Sequence, residues 1–188
     1  MFKRLYDKAL VWAAHRHAPR YLTLLSFAEA SFFPVPPDIM LAPMCLTKPG
    51  KALAYATITT IASVTGGLFG YLIGYFAIEF IEPLILAAGY QASFLRAREW
   101  FTLWGFWVVF AAGFSPIPYK VFTITAGAMA LFLPAFLAAS LVGRGARFFL
   151  VAWLVVWGGK RVERHLRRHI EWLGWIVVIA LVVLMIIL

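Results

Sequence analysis

Residues 52–78 run for 27 positions without one ionised side chain, and a helix needs only about 20 apolar residues to cross the hydrocarbon of a bilayer. A run of that kind excludes most folds. With 63% hydrophobic side chains over 188 residues and a mean hydropathy of +0.87, the rest of the chain agrees, since soluble domains hold about 45–50% apolar residues. A soluble globular enzyme and a disordered chain are therefore excluded. The apolar runs are continuous and lack the alternation of a β-barrel, and the single Cys45 rules out a disulfide scaffold. The expected fold class is an all-α integral membrane protein.

A net charge of +9 would suggest nucleic acid in a soluble chain. Here the basic residues sit at the ends of apolar runs. Lys3, Arg4, Lys8, Arg16 and Arg20 precede the first run; Lys48 and Lys51 stand between the first two; Lys160, Arg161, Arg164, Arg167 and Arg168 precede the last. This is the positive-inside pattern, with attraction to anionic head groups. The expected partners are membrane lipids, met by a single copy or a homo-oligomer, with no nucleic acid.

Three regions follow. Residues 1–20 read as an amphipathic helix in the membrane interface, with Leu5, Ala9, Trp12 and Ala13 opposite Lys8 and Arg16. Residues 21–160 form the membrane domain. Residues 161–188 supply a basic link and a C-terminal transmembrane helix. Within the domain, 21–46 is apolar but cut by Pro34, Pro36 and Pro37, and consecutive prolines cannot continue a helix. A re-entrant hairpin, entering and leaving on one side, accommodates two such short pieces. Residues 52–78 then make a full span, with Gly66, Gly70 and Gly74 spaced for close helix packing. The pattern repeats: a second hairpin over about 100–130 breaks at Pro116 and Pro118, and 131–159 is a second span. Placing the two Pro-x-Pro breaks on each other sets Asp38 opposite Lys120, and Ser140 and Gly143 resemble Ser63 and Gly66.

Counting crossings sets residues 1–20, the link near 50 and 160–168 in the cytoplasm, with 79–99 outside. The N-terminus is thus cytoplasmic and the halves have opposite orientation, the inverted-repeat plan of many transporters.

Five ionisable residues lie inside the apolar segments: Glu29, Asp38, Lys120, Arg144 and Arg147. An intramembrane charge costs about 2.5–3.5 kcal/mol on insertion scales, so it faces the interior, pairs, or binds a polar ligand. Three cations against two carboxylates leave +1, which suits a phosphate held by forked arginine donors. The competing reading is that these charges only neutralise one another and lock the halves together. No Gly-x-Ser-x-Gly elbow, phosphate loop, His-Glu-x-x-His or aspartate cluster is present. No catalytic residue, metal or cofactor is expected beyond a proton gradient. His165 and His169 belong with the head groups, because no third ligand stands nearby.

The motifs Phe27-Ala28-Glu29-Ala30-Ser31-Phe32-Phe33-Pro34-Val35-Pro36-Pro37-Asp38, Gly113-Phe114-Ser115-Pro116-Ile117-Pro118-Tyr119-Lys120 with Ala126-Gly127-Ala128, and Gly143-Arg144-Gly145-Ala146-Arg147 resemble those of the DedA family. Its shared domain is also called VTT or SNARE-associated, and the likeness is greatest to the short YqaA-like branch. The resemblance covers about residues 20–160. It implies a bacterial inner-membrane protein with two opposed re-entrant helices that moves lipids across the bilayer as a flippase or scramblase. Family members are linked to undecaprenyl phosphate recycling and phospholipid movement, often with dependence on the proton gradient. By that likeness Glu29 and Asp38 match the acidic pair proposed to carry protons or switch the ligand. Lys120 stands where many members carry Arg, and Ser115 departs from a second Arg before the proline, for which Arg144 or Arg147 would compensate. The expected function is transport of phosphate-bearing lipids, with Lys120, Arg144 and Arg147 on the phosphate. The same residues also suit a proton-coupled carrier of an ion or small solute, or a non-transporting assembly factor.

Overall fold

A computed structural model describes residues 15, 17–31, 35–87, 91–115 and 119–159. The expected interfacial helix, apart from its last few residues, and all of the basic link and C-terminal span lie outside the described residues. Within them the chain is all helix and has no strand: α1 (Ala18–Ser31), α2 (Asp38–Thr47), α3 (Ala52–Ala87), α4 (Gln91–Phe114), α5 (Tyr119–Ala128) and α6 (Leu133–Gly159). Two stretches, Pro49–Pro83 and Leu133–Gly159, are long and apolar enough to cross a membrane.

Local chemistry explains the boundaries. Helix α1 buries Ala18, Leu22, Ser26 and Ala30, one residue per turn on one face. Pro36 and Pro37 cannot donate, yet their carbonyls accept the amides of Ile39, Met40 and Leu41. With Pro37 already helical at φ −67°, ψ −17°, the pair sits at a helix start, where amide donors are not needed. Asp38 follows in the first turn of α2, complementing the positive end of the helix dipole. A 3₁₀ turn over Pro49–Lys51 leads directly into α3.

Two helices run past their expected limits. Helix α3 continues beyond residue 78 through Glu79, Glu82 and Pro83 to Ala87, and α4 begins at Gln91, well before residue 100. Charged residues end an apolar run but not a helix, because Glu and Arg are good helix formers. At 24 residues, α4 is longer than the half-membrane piece expected there, so the two helix pairs are unequal in length.

The long helices α3 and α6 are antiparallel. The Tyr71 hydroxyl donates to the Leu131 carbonyl at 2.6 Å, Arg144 Nε donates to Ser63 Oγ at 2.7 Å, and Tyr55 and Ala56 share a cluster with Phe148 and Ala152. Two apolar clusters result. One gathers Leu22, Leu41, Met44 and Phe148 around α1 and α2, and the other gathers Val109, Tyr119, Ala126 and Phe136 around α4 and α5. Between them lies a polar layer of buried Ser31, Ser63, Thr123, Ser140 and Arg144. Hydroxyls in this core mostly bond backward to the carbonyl one turn earlier, as Ser26 does to Leu22 and Thr59 to Tyr55, which satisfies them within their own helix.

Close approach needs glycine at matched places. A Cβ on Gly66 of α3 would overlap the Phe27 carbonyl of α1, and one on Gly143 of α6 would meet the Phe110 carbonyl of α4 at 2.6 Å. Backbone cannot rotate away, so both positions require the smallest residue, as the spacing of Gly66, Gly70 and Gly74 predicts for α3.

Candidate functional site

Helix α1 ends shortly after Glu29, α2 begins at Asp38, and α6 carries Arg144 and Arg147 near its middle. The four meet as two ion pairs. An Arg144 terminal nitrogen donates to Glu29 Oε2, and an Arg147 terminal nitrogen donates to Asp38 Oδ2 at 2.5 Å. Residues more than 100 positions apart are thus joined, and the α1–α2 pair is tied to the centre of α6.

The two pairs differ in enclosure. Arg144 keeps 2% of its side-chain surface and Glu29 12%, against 17% and 24% for Arg147 and Asp38. Arg144 is held on every side: Nε bonds Ser63, and the guanidinium carbon lies 4.8 Å from the Tyr119 ring centre and 4.7 Å from that of Phe148. Tyr119 is itself fixed, donating from its hydroxyl to Ser140 Oγ. A buried cation with a carboxylate, a hydroxyl and two aromatic faces has its charge and donors answered within the protein.

Among the described residues Arg147 has fewer partners. Besides Asp38 it donates to the Ser115 carbonyl, just beyond the end of α4. One guanidinium therefore touches the first residue of α2 and the residue that follows α4. Asp38 Oδ1, although buried, has no hydrogen-bond partner among the described residues.

The five charges expected at the site thus separate. Glu29, Asp38, Arg144 and Arg147 form the two pairs; Lys120, half-buried beside Tyr119 at the start of α5, belongs to neither pair. Pro36 and Pro37 open α2, while Pro34, Pro116 and Pro118 lie outside the described residues. Sequence reasoning missed Tyr119, Phe148 and the Ser115 carbonyl as partners of the arginines. It noted Ser63 and Ser140, each three residues before a glycine of a long helix, as marks of a repeat rather than as the residues that hold Arg144 and Tyr119.

No family model matches the chain, and no solved structure does. A protein of Haemophilus influenzae, described as uncharacterized, is 48% identical over 183 residues, 97% of this chain and 95% of that protein. A second, from Histophilus somni and described in the same way, is 49% identical over 185 residues, 97% of this chain and 96% of its own length. Identity at that level along nearly the full length of each places all three in one family, and the chain belongs to it.

Proposed function

We propose that this is a multi-pass carrier of the bacterial inner membrane, of the DedA type, that moves phosphate-bearing lipids such as undecaprenyl phosphate or phospholipids between leaflets. The observation that carries the reading is the pair of arginine–carboxylate contacts joining the α1–α2 pair to mid-α6. Such groups are costly in hydrocarbon and belong to a polar pathway when they occur there.

The distribution of polarity supports a membrane setting. Arg144 is enclosed, while Phe80 and Trp157 are 78% and 77% exposed. Large exposed apolar surfaces mark a site meant to be covered, and here they fall on the long helices. The halves also correspond: α1, a break, α2 and α3 match α4, a break, α5 and α6. The Gly66–Phe27 and Gly143–Phe110 approaches correspond, and the antiparallel α3 and α6 suit inverted orientation. On this reading α1–α2 and the apolar part of α4 with α5 are re-entrant hairpins. Residues 91–99 of α4, bearing Arg96, Arg98 and Glu99, lie outside the hydrocarbon.

The head group enters among these charges while its tails stay in the bilayer. Glu29 and Asp38 act as charge switches in different ways: protonation of Asp38 releases Arg147, which with Lys120 favours a phosphate, whereas protonation of Glu29 changes the net charge around an Arg144 that stays enclosed. The enclosure of Arg144 favours a second role for that pair alone, fastening α1 to α6. Purified protein in vesicles holding fluorescent phospholipid and polyprenyl phosphate tests the proposal. Accelerated movement of at least one of them is expected. Movement of neither, in protein shown to be folded, would refute it.

A further inference from the structure

The two ion pairs have the same chemistry but different surroundings, and the difference identifies the one that can change partners. Removing Arg144 from Glu29 would also disturb Ser63 and two aromatic faces. Arg147 is more exposed, and among the described residues its other hydrogen bond is to a single carbonyl and the carboxylate it holds keeps a buried oxygen without a partner. A carboxylate bound through one of its two oxygens uses only part of the forked donor set that a phosphate fills. We propose that Asp38 is a resident stand-in for the head group: Arg147 binds the Asp38 carboxylate in the empty protein and exchanges it for the phosphate of the lipid, while Glu29–Arg144 stays closed.

This rests on the reading of the chain as a carrier of phosphate-bearing lipids and adds which cation takes the ligand and what competes with it. An internal competitor lowers affinity but lets the ligand leave, because Asp38 returns to Arg147 as the phosphate departs. Its removal should tighten binding. Glu29→Gln should give no such tightening, because the Arg144 guanidinium remains enclosed.

Binding to the full chain in detergent is measured by native mass spectrometry, with phosphatidic acid, diacylglycerol and inorganic phosphate titrated separately. Asp38→Asn is expected to bind phosphatidic acid about ten-fold more tightly, the scale of one charge-assisted hydrogen bond no longer contested, with diacylglycerol unchanged. Arg147→Lys, which keeps the charge but loses the fork, is expected to lose most of the preference for phosphatidic acid over diacylglycerol, and it decides the question if Asp38→Asn does not fold. Folded Asp38→Asn protein with unchanged or weaker phosphatidic acid binding would overturn the exchange. So would equal tightening by Glu29→Gln, an undiminished preference in Arg147→Lys, or tightening confined to inorganic phosphate. Binding is read here without transport, so the two readings fail separately. Tighter binding in a protein that moves no lipid sinks the carrier and keeps the exchange; lipid movement with affinity insensitive to Asp38→Asn does the reverse.

Discussion

Ala130 shows how much one residue can reveal. It closes α5 with φ +52°, in the left-handed region that costs a residue with a Cβ about 1–2 kcal/mol. The geometry is a Schellman cap: Leu131 N–H bonds the Ala126 carbonyl and Ala130 N–H that of Gly127, while Ala126 and Leu131 share one apolar cluster. Ala130→Gly should relieve the strain and, after the extra entropy of an unfolded glycine, stabilise the protein by about 0.5–1 kcal/mol. Denaturation in mixed detergent measures it; a loss of stability would contradict the cap. Arg144 calls for the opposite outcome. Arg144→Met strands Glu29, and breaking a buried pair from one side costs about 3–5 kcal/mol, so a severe loss of folded protein is expected on the same assay. The charges themselves were legible in the sequence because an ionised residue in an apolar run is conspicuous. Their pairing was not, since Glu29 and Arg144 come together only through the crossing of α3 and α6.

Among the helices, what sequence conveyed well was the backbone's prohibitions. The di-proline could not continue a helix, and Pro36 and Pro37 stand in the break between α1 and α2, at the start of α2. Small residues on α3 had to mark a close approach, and Gly66 lies against Phe27. Helix ends were conveyed poorly where polarity changes without a breaker, as at Glu79 and Arg98, because hydropathy records the solvent around a helix rather than its hydrogen bonds. The matched glycines give a sharp comparison. Gly66→Ala puts a methyl into backbone that cannot yield and should cost about 1–3 kcal/mol. Gly50→Ala, with nothing within 4 Å of the added carbon, should change stability by no more than about 0.5 kcal/mol. Equal effects at the two positions, in thermal unfolding, would contradict the packing of α1 on α3.

Among the described residues of the whole molecule, Arg144 and several hydroxyls are buried beside two apolar clusters while large apolar side chains such as Phe80 and Trp157 are exposed, and mid-helix charge ties α1 and α2 to α6. The proposed membrane arrangement predicts that residues near 20 and 48 face the cytoplasm and residues near 90 the exterior. Single cysteines there, in a Cys45→Ser background, should accept an impermeant reagent from outside only near 90. Labelling from outside near 48 would remove the re-entrant arrangement of α1 and α2. The central claim is that the Asp38–Arg147 pair is a working part and not only a fastener, and lipid movement per folded molecule in vesicles tests it most directly. Asp38→Asn should slow phosphate-lipid movement by about ten-fold or more while unfolding stays near that of the wild type, because a cation with no returning partner holds its ligand too long. Undiminished movement per folded Asp38→Asn molecule would leave the pair a fastener and contradict the claim.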